Sequence, residues 1–325
     1  MEHMNYDAND LRAIESSGAF RADAGESIWF ARQLDYVKSQ AYDVKRPSMS
    51  AMTMFPVAND VPEGALTMTY RQYDSVGAAK LIAAGADDLP RADVTGREYT
   101  SPIRAIGVSY GYSTREIRHA RMAGVPLETR KMMAARRAHE ELVNKLAWFG
   151  DADSGIPGFL TNPNVPGYTV TADGAGGGGS SKLWINKTAD QILRDMNGIV
   201  NQVYTQSKTV HRATELWVPP AQYALISSTP RSTDSDTTIL EFFLRSNPFV
   251  QRVVPVLELQ GAKAGQLDTM VAIDNSIENY QMVLPMMFRQ YSPQERNLEW
   301  VVPCESEMGG VVFTYPFAAA IADSV

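Results

Sequence analysis

The chain has 325 residues, 44% of them hydrophobic, and a formal net charge of −7, which is enough apolar surface for one large or two modest packed domains. The acidic balance argues against a surface built to grip nucleic-acid phosphates, and the single cysteine, Cys304, excludes an internal disulfide or a multi-cysteine zinc site and fits a reducing compartment. No apolar stretch approaches the ~20 residues of a membrane span, and residues 1–10 lack the basic flank and apolar run of a signal peptide, so a soluble protein outside the usual export route is expected.

In chain order, short helical patterns at 10–16 and 27–38, with Asn9 and Ser27 as good N-caps, read as an arm that needs a larger body to dock on. From Gly64 the period changes to two. Leu66, Met68 and Tyr70 alternate with Thr67, Thr69 and Arg71, the pattern of a half-exposed strand. Residues 99–112 are rich in β-branched and aromatic types, with Ile106, Val108 and Tyr110 alternating against Gly107 and Ser109, so this run is expected to pair back onto the first. Residues 76–96 between them are small and then acidic, and are read as the tip of a long projecting hairpin with a contact to make.

Residues 127–149 hold helix formers without Gly or Pro until Gly150, a helix of roughly 35 Å. Leu142, Leu146 and Phe149 are its expected apolar stripe, and Arg136, Arg137, Glu140, Glu141 and Lys145 its exposed side. Turn-rich residues 155–162 and a glycine and serine loop at 174–181 follow. Thr188 then caps a helix through Tyr204 with Ile192, Met196, Ile199, Val200 and Val203 inward. Strands are read at 215–218, 250–259, 269–274 and 280–288, helices at 220–226 and 238–245, and apolar strands again from 298 to 322. No repeat is visible, which argues against a solenoid or propeller.

Catalytic and metal patterns were weighed residue by residue. His3, His119, His139 and His211 are scattered outside any zinc spacing and read as surface or core histidines. Asp151 and Asp153 alternate but lack the later acidic ligands of a calcium loop, so a helix-ending turn is expected. The glycines at 176–179 have no P-loop lysine and read as linker. Cys304 is read as a buried structural thiol. No catalytic, cofactor or metal residue is nominated. Arg115, Arg118, His119, Arg121, Arg130, Lys131, Arg136 and Arg137 form the most basic region. It is read first as a solvated face balanced by Glu116, Glu128, Glu140 and Glu141, and second as a face for a neighbour's acidic loop such as Asp87 and Asp88.

The order of elements resembles the α+β Hong Kong 97-type capsid fold of tailed double-stranded DNA phages, which encapsulins share. The residues that carry this are Phe55-Pro56-Val57 before the hairpin, residues 109–113 leading toward the long helix, Trp148-Phe149-Gly150-Asp151 at its end, residues 158–162 after it and the closing stretch 310–316. The resemblance implies an N-terminal arm (1–55), an E-loop hairpin (56–112), a peripheral domain (113–185) with spine helix 127–149, an axial domain (186–284) and a return to the peripheral domain (285–325). It implies a non-enzymatic major capsid protein whose main partner is itself, in hexamers and pentamers. Scaffolding, portal and decoration proteins are further expected partners, the enclosed DNA is not bound by sequence, and no membrane or cofactor takes part. The expected location is the virion, after assembly in the host cytoplasm. Inter-subunit contact candidates are Lys80, Asp87, Asp88, Arg91, Arg115, Arg118, Arg130, Arg136 and Arg137. Some relatives crosslink an E-loop lysine to a neighbour's asparagine; here nothing marks the partner groups, and Lys80 is read as a surface residue. An encapsulin-like compartment holding a cargo enzyme is the alternative, and a soluble αβ enzyme the distant one.

Overall fold

The computed structural model describes residues 46–58, 60–81, 91–124, 127–175, 179–232, 236–263, 265, 267–323 and 325. The helices expected at 10–16 and 27–38 lie outside them. The chain divides into two compact units, Met1–Ser48 and Met49–Val325; the second is described here.

It begins with a short helix α1 (Ala51–Met54) and strand β1 (Val57–Ala58), then enters the long hairpin β2 (Thr67–Val76) and β3 (Asp93–Pro102). Ten residue pairs join the two strands, from Thr67↔Pro102 to Val76↔Asp93, and they form a two-stranded sheet of their own. The returning strand is therefore 93–102, and not the run 99–112. The chain bends at Pro102–Ile103, and β4 (Arg104–Ser113) pairs with the C-terminal strand β12 (Glu299–Met308) over ten residues. Alternation alone suits either partner; the proline marks the break.

Helix α2 (Thr114–Ala123) starts with a capping box between Ser113 and Glu116 and ends on Gly124 in the left-handed region. Helix α3 (Leu127–Phe149) has the expected bounds. Its buried stripe differs: Ala135, His139, Val143, Leu146 and Ala147 face inward, while Leu142 is 41% exposed. The true stripe follows i, i+4, i+8, i+11 and i+12, and admits a histidine where the apolar count looked for a leucine.

After β5 (Gly167–Thr169), helix α4 (Ala189–Gln206) has Thr188 as N-cap in a capping box with Gln191, and buries its expected stripe together with Leu193. Then follow β6 (Glu215–Val218), α5 (Pro220–Ser228), α6 (Ile239–Ser246) with Thr238 as N-cap, β7 (Arg252–Pro255) and β8 (Thr269–Ile273). The run expected as one strand at 280–288 is two strands in different sheets, β9 (Tyr280–Val283) and β10 (Met286–Gln290), separated at Pro285. The chain closes through β11 (Gln294–Arg296), β12, β13 (Gly310–Phe313) and β14 (Ala319–Asp323).

The five-stranded sheet β5-β14-β8-β6-β7 is covered on both faces. Leu216, Val218, Met270, Ala272, Ala320 and Ala322 point into a core made with α4, α5 and α6. Trp217, Val271, Ile273, Ala319 and Ile321 point the other way, into a core shared with α3, β9 and β13. Burial on both sides explains why these strands read as unbroken apolar runs without alternation.

Candidate assembly surfaces

The second of those cores is a hub of aromatic rings, and four of its six rings come from the stretches that carry the resemblance. Phe55, Trp148, Phe159 and Phe313 meet Trp217 and Tyr280, with centroids 4.7 Å apart for Phe55–Trp148, 5.1 Å for Phe55–Phe159 and Phe159–Phe313, and 5.3 Å for Phe159–Trp217. The ring polar groups are satisfied at the margin. Trp148 Nε1 donates to Ser50 Oγ, Trp217 Nε1 to Glu215 Oε2, and the Tyr280 hydroxyl to Asn275 Oδ1. Glu215 also accepts from Arg252 and Asn275, so its buried carboxylate is fully engaged. The Tyr280 hydroxyl is pushed far up from its ordinary pKa, first by burial and then by the nearby Glu215 charge. This hub fixes the angle between the long helix and the five-stranded sheet. Trp217 and Tyr280 had no local signal for such a role, because each sits in a strand whose inward partner is set by the tertiary fold.

The turn after α3 makes the hub possible. Gly150 has φ +66°, and a Cβ there or on Gly158 would overlap the other's backbone. Asp151 accepts from the Ser154 amide and pairs with Ile156 across the turn, as expected of a helix-ending turn; the Ser154 hydrogen bonds hold the Asp151 carboxyl below its usual range.

The surfaces are of three kinds. The first is the β2–β3 ribbon. Beyond the base, where the Tyr70 hydroxyl donates to the Phe313 carbonyl and Ser101 Oγ to the Gly309 carbonyl, its two strands pair, among the described residues, only with each other. Tyr73 and Val94 lie on one face and are 67% and 61% exposed. Lys80 and Arg91 are exposed near the tip, and Asp87 and Asp88 lie outside the described residues.

The second is the basic region. Lys131 pairs with Glu116 at 2.9 Å, Arg136 with Glu140 at 2.8 Å and Arg137 with Glu141 at 2.9 Å. The Lys131 bond is the main cause that holds the Glu116 carboxyl below its usual pKa. Arg115 instead reaches His119 Nε2, and among the described residues Arg118, Arg121 and Arg130 make no ion pair. At about 100° per residue, Arg115, Arg118 and His119 share one face of α2, a helix whose residues are all half-buried or exposed.

The third is a cavity of about 240 Å³ between α3 and β10, lined by Met52, Arg136, His139, Glu140, Val143, Leu284, Met287 and Phe288. His139 is buried, as a core histidine would be. Its Nε2 is hydrogen-bonded to Ser306 Oγ of β12, its ring lies 5.0 Å from that of Phe288, and burial pushes its pKa down.

Other expected positions fall into structural places. Cys304 is buried in β12, where burial raises its thiol pKa. His211 lies 3.3 Å from Asp274 and against the Tyr315 ring. Among the described residues no group of His, Cys, Asp and Glu is arranged to hold a metal ion, and no helix is long and apolar enough to cross a membrane.

No curated protein matches the chain. The family model described as "Major capsid protein" matches residues 77–325. Among solved structures, the capsid of Myoviridae phage XM1 superposes with a TM-score of 0.78 at 15% identity, covering 91% of this chain and 98% of that one. A Mycobacterium phage Ogopogo chain gives 0.60 at 13%, covering 91% and 98%. The capsid of a native GTA particle gives 0.62 at 10%, covering 90% and 95%. At such identities the likeness is one of fold, the Hong Kong 97-type capsid fold. With a family match over most of its length on that fold, the chain belongs to the major capsid protein family.

Proposed function

We propose that the protein assembles into hexamers and pentamers that close an icosahedral shell around the double-stranded DNA of a tailed phage, in the host cytoplasm, and that its work is mechanical, without a catalytic centre. In this reading the β2–β3 ribbon is the E-loop, α3 the spine helix, residues 113–185 and 285–325 the peripheral domain, residues 186–284 the axial domain, and residues 1–55 an arm that reaches a neighbour. Scaffolding, portal and decoration proteins are further partners on the same reading.

The ribbon is the observation that carries it. A lone two-stranded hairpin is marginal in water, yet this one runs for ten residue pairs as a sheet of its own, and beyond its base Tyr73 and Val94 are exposed. Laid across a second copy, it gains the third layer it lacks. Head-to-tail contacts of this kind close into rings, and many modest contacts made together give a stability that no single interface has. Arg136 and Arg137 are already neutralised along α3, so the electrostatic part of the contact falls to Arg115, Arg118 and Arg130, with Lys80, Arg91, Asp87 and Asp88 on the ribbon side.

Shortening the ribbon tests this. Replacing residues 73–96 by a two-residue Asn-Gly turn is expected to leave thermal unfolding unchanged and to abolish particles in light scattering. Normal particle formation by the shortened chain would contradict the assignment.

A further inference from the structure

The two faces of the ribbon differ, and one of them rests on its own subunit at the base. Residues opposite each other in an antiparallel pair point to the same side, so Met68, Tyr70, Gln72, Asp74 and Val76 share a face with Asp93, Thr95, Arg97, Tyr99 and Ser101. At the base this face lies on the body. Met68 and Tyr70 pack against the cluster of Ile103, Val283 and Val312, and Met68, Tyr70 and Gln72 are half-buried. From Asp74 outward the same face is exposed on both strands, so the ribbon overhangs.

The overhanging part holds Val76, 59% exposed, between two carboxylates. Asp93 is directly opposite Val76, and Asp74 stands two residues back on the same face. Neither carboxylate has an ion-pair partner among the described residues. Arg97, the cation of this face, lies nearer the base, opposite Gln72. A complementary surface therefore needs an apolar contact flanked by two cations.

Helix α2 presents one. Thr114, Ile117 and Ala120 are half-buried, and Ile117 packs against the cluster around Tyr110 and Tyr112. At about 100° per residue the opposite side of the helix carries Arg115, Arg118, His119 and Met122, all exposed, with Met122 at 91%. Arg115 donates only to a neutral-capable ring, His119, and Arg118 makes no ion pair among the described residues. The spacings agree as well. Diagonal neighbours such as Asp74 and Asp93 stand about 7–8 Å apart, and Cβ atoms three apart on a helix about 5–6 Å, a difference that long arginine stems take up.

We infer that the overhanging face of one copy docks on α2 of a second copy, with Val76 against Met122 and with Asp74 and Asp93 paired to Arg115 and Arg118. This rests on the shell reading and names the surface that receives the ribbon within it.

The test is a charge exchange, read as particle yield in light scattering. Asp74→Lys with Asp93→Lys, and separately Arg115→Glu with Arg118→Glu, should each lower the yield at least about ten-fold, because each sets like charges face to face, and all four substitutions together should restore it to within about two-fold. A control combines the ribbon pair with Lys208→Glu and Arg245→Glu, exposed cations elsewhere, which gives the same net charge and should not restore assembly. Normal assembly of both double variants, no recovery in the fourfold variant, or equal recovery in the control overturns the site and leaves the shell reading standing. Absence of particles from the unsubstituted protein overturns the shell reading, and the site with it. Oxidative footprinting of the unsubstituted protein covers variants that do not fold: labelling of Met122 falls on assembly if the site is right, and undiminished labelling in particles overturns it.

Discussion

Phe159 sits where five other rings converge, Phe55, Trp148, Trp217, Tyr280 and Phe313, each within 5.7 Å of its centroid. Removing it leaves a cavity that the rigid hub cannot close, so Phe159→Ala should lower stability by ~3–5 kcal/mol in urea unfolding. His139 gives a prediction of opposite character, because burial is the main cause of its lowered pKa and the neighbouring Glu140 only partly opposes it. Arg136 on the same helix is paired with Glu140, Ser306 faces the ring from β12 and Phe288 from β10. With a folded pKa below the unfolded value of about 6.5, the unfolded chain takes up the proton first as pH falls. Stability attached to this residue is present above about 6.5 and is lost on going below it towards the folded value. Urea midpoints of the native protein should therefore fall more between about pH 7.5 and pH 5.5 than those of His139→Phe; parallel losses in both would show that His139 does not contribute.

At the scale of elements, legibility followed the range of the information. Helix α4 was readable from Thr188 and its stripe because capping and 3.6-residue periodicity are local. The bounds of α3 were readable for the same reason, but its inward face was not, since the burial of His139 depends on Ser306, 167 residues away. The partner of β4 is β12, and the hydrogen-bonding face of a strand does not say which distant strand it meets. The onset of β3 at Asp93 was hidden by residues that are poor strand formers alone, Asp93 and Gly96; the Tyr73 ring lying over Gly96 supplies the cross-strand contact that local propensity lacks. The turn after α3 is the element where one atom decides most. A Cβ on Gly158 would overlap the backbone of Phe149 and Gly150, so Gly158→Ala should cost about 1–3 kcal/mol by overpacking and displace Phe159 from the hub. A thermal shift no larger than that of an exposed Gly107→Ala control would contradict this account of the turn.

For the molecule as a whole, the hub residues were visible in the sequence as scattered motifs, and their meeting point was not. The candidate contact residues were legible only as a basic stretch and an acidic loop; the structure separates Arg136 and Arg137, paired along α3, from Arg118 and Arg130, which make no ion pair among the described residues, and composition cannot do that. The central claim is that the chain is built to be completed by copies of itself, with the β2–β3 ribbon as the part that most needs a neighbour. A cryo-electron-microscopy reconstruction of particles formed by the purified protein tests it most directly. The account predicts a closed shell in which every ribbon lies across an adjacent subunit. A shell whose ribbons fold back on their own subunits, or a protein that stays monomeric when its scaffold is supplied, would contradict it.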